Sequence, residues 1–200
     1  MRKRLFDIIF SVGAMLFFFP LALLIAIAIK ASSKGPIFYS SSRMGKDASE
    51  IFCWKFRTMC HNADDKLGAL LQDPQAKLEW ETHYKLKHDP RVTPLGRWLR
   101  KTSLDELPQF WNVLKGDMSV VGPRPVTRDE IEKYFGPKAQ KIFSIRPGLT
   151  GMWQTSGRSL LTYEERIQLE ENYVNHHSFI LDLQIILKTI PHIFCAKGAF

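Results

Sequence analysis

Cysteine is scarce in this 200-residue chain, and the three present, Cys53, Cys60 and Cys195, are odd in number and lack the paired spacing of a metal site. That argues against a disulfide framework and suits a reducing cytoplasm. Acidic residues are outnumbered, 20 against 28 lysines and arginines, for a net charge of +8. A basic balance of this kind points to nucleic acid, anionic lipid or a phosphorylated substrate. Tandem repeats, low-complexity tracts and long flexible linkers are missing as well, so neither a solenoid nor a string of domains is expected. Charge itself is absent from Ile8 to Ile29, a run of 22 residues with Pro20 near its middle.

That run is the strongest single feature. At roughly 1.5 Å per residue an unbroken helix of this length would just cross a bilayer core of about 30 Å. Pro20 has no amide hydrogen for the carbonyl of Leu16, and its ring crowds that carbonyl, so a bend near the midpoint is expected. Arg2, Lys3 and Arg4 precede the run, while Lys30, Lys34, Arg43 and Lys46 follow it. Basic residues at both ends assign both to the cytoplasm. A re-entrant helix-break-helix that enters one leaflet and returns satisfies both signals. Two other readings stay open: a kinked helix that crosses once, and a cleaved signal peptide with Ala26-Ile27-Ala28 at the cleavage site, for which the apolar run is long. An anchor favours anionic lipid or a phosphorylated substrate over nucleic acid as the target of the basic charge.

About 170 residues remain, enough for one domain with a real core. Ile37 to Ser42 and Ile51 to Phe56 read as two strands around a turn at Gly45 to Asp47. Asn62 to about Lys87 reads as one or two polar helices interrupted at Asp73-Pro74. Thr93 as N-cap and Pro94 at the first helical position open a short basic helix whose Arg97, Trp98, Arg100 and Lys101 suit either a lipid interface or an ordinary surface helix with one buried tryptophan. Leu104 to Lys115 is expected to be a helix closed by Gly116, and the pairs Thr127/Glu130 and Thr162/Glu165 open two more. Phe179 to Phe194, apolar but carrying Asp182, Lys188 and Pro191, reads as an amphipathic helix on the core or the membrane surface.

The candidate chemistry lies in Ser103 to Gln109. Ser103 and Glu106 form an S-x-x-E pattern, which on its own is more often a capping box than a site. Its company changes that balance. Asp105 and Glu106 are adjacent carboxylates close in sequence to Arg97, Arg100 and Lys101, and Gly122-Pro123-Arg124-Pro125 follows as a stiff loop with one arginine able to clamp a phosphate. A carboxylate can attack phosphorus when a cation screens the repulsion. Neighbouring helical residues point about 100° apart, so the two acids more naturally hold different jobs than share a proton. This spacing does not argue for a glycosidase pair.

Read together, Ser33-Lys34-Gly35-Pro36, Lys55 to Met59, Asp89 to Thr93, Ser103 to Gln109, Asn112 to Ser119, Gly122 to Pro125, Arg146 to Gly151 and Trp153 to Arg158 resemble the monotopic phosphoglycosyl transferases, also called bacterial sugar transferases or polyprenyl-phosphate hexose-1-phosphate transferases. The resemblance runs over nearly the whole chain. It implies an α-rich α+β fold with a re-entrant anchor over 1–34, and a compact cytoplasmic catalytic domain over 35–200 that carries a small β-hairpin and amphipathic interfacial helices. The implied partners are a UDP-sugar, undecaprenyl phosphate, membrane lipids and downstream glycosyltransferases, with Mg²⁺ as cofactor and the bacterial inner membrane as location.

By the same resemblance Asp105 attacks the sugar-bound phosphate and leaves a covalent phosphosugar with release of UMP. Glu106 holds Mg²⁺, Arg124 grips phosphate, and Lys55, Arg57 and Arg100 add basic contacts. Gln154 and Arg158 are candidates for nucleotide or sugar contact, with ordinary loop hydrogen bonding as their alternative. The chain has Phe19 where family anchors often place serine before the break proline. It resembles the minimal catalytic form, and Trp153 with Ser156 to Ser159 suggests plain hexoses. The rival classes are a non-catalytic membrane adaptor and a phosphohydrolase that releases free sugar phosphate.

Overall fold

The computed structural model describes residues 2–83 and 86–195. Helix α1, Arg2–Ser32, is one continuous element with Pro20 inside it, so the expected break between two helices is not there. The physical reason is that proline removes a single backbone bond, and one freed carbonyl is not enough to end a helix whose other bonds persist. The helix is long and apolar enough to cross a membrane. Leu16, Phe17 and Phe19 at its centre are exposed, whereas Asp7, Ser11, Ile25 and Ile29 nearer its ends are buried.

Both ends of α1 pack on the same folded body. At the start, the Arg4 guanidinium donates to the carbonyls of Val113 and Leu114 at 2.5 and 2.7 Å. The Asp7 carboxylate accepts from the Ser119 hydroxyl and the Val120 amide, both near 3.0 Å. At the far end, Ile25 and Ile29 join Phe56 and Leu99 in a core cluster. Arg57 closes that end, donating to the carbonyls of Ser33 and Lys34 at 2.8 Å.

Strands β1 (Phe38–Met44) and β2 (Glu50–Phe56) form the expected antiparallel hairpin, with Tyr39 opposite Lys55. Helices α2 (Ala63–Leu70) and α3 (Pro74–His83) divide at Asp73-Pro74; residues 84 and 85 of the polar segment lie outside the described residues. In α4 (Pro94–Thr102), Thr93 caps the start by accepting from the Gly96 amide. Gly96 is required by the packing here, because a Cβ would run into the carbonyl of Thr58.

The expected helix from Leu104 to Lys115 is instead a 3-10 turn, Leu104–Glu106, followed by α5 (Gln109–Lys115), with Pro108 at the N-cap between them. Gly116 ends α5 in the left-handed conformation, φ 99°, as expected. Strand β3 (Ser119–Val121) runs parallel to β4 (Gly148–Thr150), and between them lie α6 (Arg128–Glu130), a π-helical stretch (Ile131–Phe135) and α7 (Lys138–Ile142). Thr127 and Glu130 form the capping box. Helix α8 (Met152–Ser156) precedes α9 (Tyr163–His176), opened by the Thr162/Glu165 box, and α10 (Phe179–Cys195) closes the described chain. Asp182 of α10 pairs with Lys3 at 2.6 Å and accepts from the Tyr173 hydroxyl at 2.6 Å, which ties α10 to both α1 and α9.

Candidate active site

The Asp-Glu pair sits on the 3-10 turn because Ser103 redirects the chain. Its backbone is left-handed, φ 57° and ψ 15°, unusual for a residue with a side chain. Ser103 therefore ends α4 rather than starting α5, and its hydroxyl makes no capping bond. Glu106, freed from a capping box, turns its carboxylate to two cations. Lys55 Nζ lies 2.7 Å and Arg124 Nη2 2.9 Å from Oε1, and Arg124 Nη1 lies 3.5 Å from Oε2. Leu104 and Leu107, on either side of the pair, pack onto the cluster of Ile25, Ile29, Phe56 and Leu99, so the dyad is seated against the end of α1.

Each cation comes from a different element. Lys55 projects from β2, whose Phe52 carbonyl and Trp54 amide are held by the Asn112 side chain of α5 at 2.7 and 3.0 Å. That contact fixes the strand against the helix following the dyad. Arg124 sits in a loop pinned by Gly122 N to Thr150 O at 3.0 Å and Gly148 N to Pro123 O at 2.8 Å. Gly122 permits this approach, since a Cβ there would strike the Arg146 carbonyl. Arg100 donates from Nε to the Thr58 hydroxyl at 2.9 Å and acts on Asp105 as a nearby positive charge.

Electrostatics separate the two acids. Burial pushes the Asp105 carboxyl up to about 6; Lys55, 4.0 Å away, pulls the other way, and the negative Glu106 adds to the rise. Burial also acts to raise Glu106, but Arg124 and Lys55 outweigh it and hold Glu106 well below the usual carboxylate range. Glu106 in turn raises the Arg124 guanidinium. The pair thus consists of one firmly ionised acid in an ion-pair network and one buried acid with raised basicity.

The other candidates divide. Arg158, held at φ 55°, donates from Nε to the Gln154 carbonyl at 3.3 Å, and both Arg124 and Glu106 act on its charge, which places it at the site. Gln154 is buried, and its amide donates to the Leu149 carbonyl at 3.4 Å, the loop-bonding alternative. Arg57 turns elsewhere: the hydrogen bonds of its side chain go to residues 29–34, and the cations acting on Asp105 are Lys55, Arg100 and Arg124. Residues 55 and 57 would share a face only if the strand continued, and β2 ends at Phe56.

Sequence reasoning missed Thr58, Arg166 and Glu170. The Arg166 guanidinium lies 4.5 Å from the Trp153 ring, which also faces Arg124 at 5.6 Å, and it pairs with Glu130 at 3.5 Å. Glu170 accepts from the Arg124 amide at 3.0 Å. The available signal was an acid three residues from both Ile167 and Tyr173, on the apolar face of a helix.

Residues 1–196 match the family described as bacterial sugar transferase. The chain is 45% identical to the exopolysaccharide production protein ExoY of Rhizobium meliloti, across 100% of this chain and 88% of that protein. It is 42% identical to the undecaprenyl-phosphate galactose phosphotransferase of Salmonella typhimurium, across 99% of this chain and 41% of that longer protein. Identity to the UDP-glucose:undecaprenyl-phosphate glucose-1-phosphate transferase of Klebsiella pneumoniae is 40%, with 99% and 41% covered. A match over almost every residue, joined to a relative of similar length, means that the chain belongs to the bacterial sugar transferase family and is an enzyme of the transferase class.

Proposed function

We propose that the chain transfers a sugar 1-phosphate from a UDP-sugar to undecaprenyl phosphate at the cytoplasmic face of the bacterial inner membrane, as the first membrane step of exopolysaccharide, O-antigen or capsule synthesis. The observation that carries this reading is the buried, basic Asp105 carboxylate beside an ionised Glu106 and the cations Lys55, Arg100 and Arg124. In the first step an Asp105 oxygen forms a bond to the sugar-bearing phosphorus, and the bridging P–O bond breaks with its electron pair leaving on UMP. In the second step an oxygen of the lipid phosphate attacks the same phosphorus and Asp105 departs as the free carboxylate. Two displacements return the enzyme to its starting state and leave a lipid-linked diphosphosugar.

A diphosphate brings several negative charges to a carboxylate nucleophile, and the cluster of cations offsets that repulsion. Arg124, with its planar fork, suits a phosphate oxygen pair, and Arg158, on whose charge Arg124 and Glu106 both act, adds to the positive field. Magnesium fits the donor set. Among the described residues the one hydrogen bond to Glu106 Oε2 is a long one, 3.5 Å from Arg124, so this oxygen keeps acceptor capacity. A site of one or two carboxylates completed by substrate phosphates is the usual way proteins hold this ion. When bound, it supplies further screening of the phosphate charge.

Helix α1 is read as re-entrant, turning back by a bend at Pro20 within one continuous helix rather than by a break between two. Residues 4 and 7 and residues 25 and 29 all pack on one folded body, and a full crossing would separate such ends by about 30 Å of bilayer core. A purely structural adaptor gives no reason to bury an acid of raised basicity between three cations.

The test is magnesium-dependent UMP release from UDP-glucose or UDP-galactose by the full chain with undecaprenyl phosphate. The attacking form of Asp105 is the ionised one, so activity is expected to fall as pH drops through about 6 and to be flat above it. No UMP release from any UDP-sugar, with lipid binding intact, would support the adaptor. Free sugar phosphate formed without lipid acceptor would support a phosphohydrolase.

A further inference from the structure

Residues 123 to 125 read Pro-Arg-Pro, and proline has no amide hydrogen, so the Arg124 N–H is the one backbone donor in this tripeptide. That donor goes to Glu170 Oε1 at 3.0 Å. Glu170 is 1% exposed, on α9 between Ile167 and Tyr173, and cannot meet substrate directly. Its Oε2 has no hydrogen-bond partner among the described residues. Burial pushes the carboxyl up to about 7, while the Arg124 amide bond and the charges of Arg166 and Arg124 oppose the rise. A buried acid with no ion-pair partner among the described residues is a costly way to fill space. The bond ties Glu170 to the backbone from which the Arg124 guanidinium reaches Glu106 at 2.9 Å.

Resting on the reading of Arg124 as a phosphate-gripping residue, we propose that Glu170 is a positioning residue for it, holding the loop through the one amide of Pro123-Arg124-Pro125. The carbonyl side of the same loop is held from β4 by Gly148, so the arginine is fixed from two elements. Displacement of a positioned group by about 1 Å can cost on the order of 10²-fold in rate. Glutamine offers the same acceptor oxygen; methionine has matching length and none.

The experiment compares Glu170→Gln and Glu170→Met in the full chain, each alone and in an Arg124→Ala background. UMP release from UDP-galactose and UDP-glucose gives the rate, and hydrogen exchange of peptides spanning 120–128 reads the loop without substrate. For Glu170→Met the expected loss in kcat/KM is about ten-fold or more, shrinking to less than about two-fold once Arg124 is alanine, since coupled residues are non-additive. Exchange at the Arg124 amide rises in the methionine variant, and Glu170→Gln stays near wild type in both readouts. Equal losses in both backgrounds, unchanged exchange in Glu170→Met, or a glutamine variant as impaired as methionine would overturn the assignment. If methionine prevents folding, Glu170→Leu takes its place. A wild-type chain that releases no UMP sinks the proposed reaction, while the exchange measurement still decides the role of Glu170.

Discussion

Asp105→Asn is expected to abolish turnover, with a loss of at least about 10³-fold, because the amide oxygen cannot serve as a nucleophile toward phosphorus. The same variant is expected to be at least as stable as wild type. The folded-state pKa of Asp105 is raised to about 6 from an ordinary value of 3.8. A group raised in this way contributes its stability fully below the unfolded value and loses it as pH rises through about 6. At neutral pH the ionised, buried carboxylate therefore costs stability, and a neutral side chain of the same shape removes that cost. Activity and thermal midpoint should thus move in opposite directions, which separates loss of chemistry from loss of fold. Near-normal activity in Asp105→Asn would remove residue 105 as the nucleophile.

Glu106→Gln is expected to lower kcat/KM by roughly 10²-fold or more and to change the magnesium dependence. Glutamine keeps the outline of the side chain but leaves Lys55 and Arg124, both part-buried, without their shared counter-ion. Glu106 also contributes to the raised pKa of Asp105, so its neutralisation should move the acidic limb of the pH profile below that of wild type. A weaker base attacks phosphorus less readily, and the rate falls for that reason as well. Measuring initial rates against magnesium at two pH values reads both effects. An unaltered metal profile would confine Glu106 to the ion pair with Lys55 and Arg124.

Local chemistry made much of this fold legible. Thr93-Pro94, the two Thr/Glu boxes and Gly116 each act within one turn of chain, and each lies where the sequence places it. The hairpin is legible through β2, where buried Ile51 and Cys53 alternate with exposed Glu50, Phe52 and Trp54, and through the turn residues Gly45 to Asp47; β1 carries no such period. The parallel pair β3–β4 was not, since strands of three residues, with β3 buried throughout, carry no period. Ser103-x-x-Glu106 misleads for another reason: the pattern permits a cap, but a left-handed Ser103 and two cations from distant segments redirect Glu106. Arg57 and Glu170 show the same limit from opposite sides. Arg57 lies beside Lys55 in sequence but closes α1, while Glu170 is 46 positions from Arg124 and holds its backbone.

The most direct test of the central claim is the intact mass of the wild-type chain after incubation with magnesium and UDP-glucose or UDP-galactose, with no lipid acceptor. The account predicts a hexose-phosphate adduct, mapped to Asp105, formed with release of UMP, absent in Asp105→Asn and discharged by undecaprenyl phosphate. UMP release that strictly requires the lipid and leaves no adduct, or an adduct on a different residue, would contradict it.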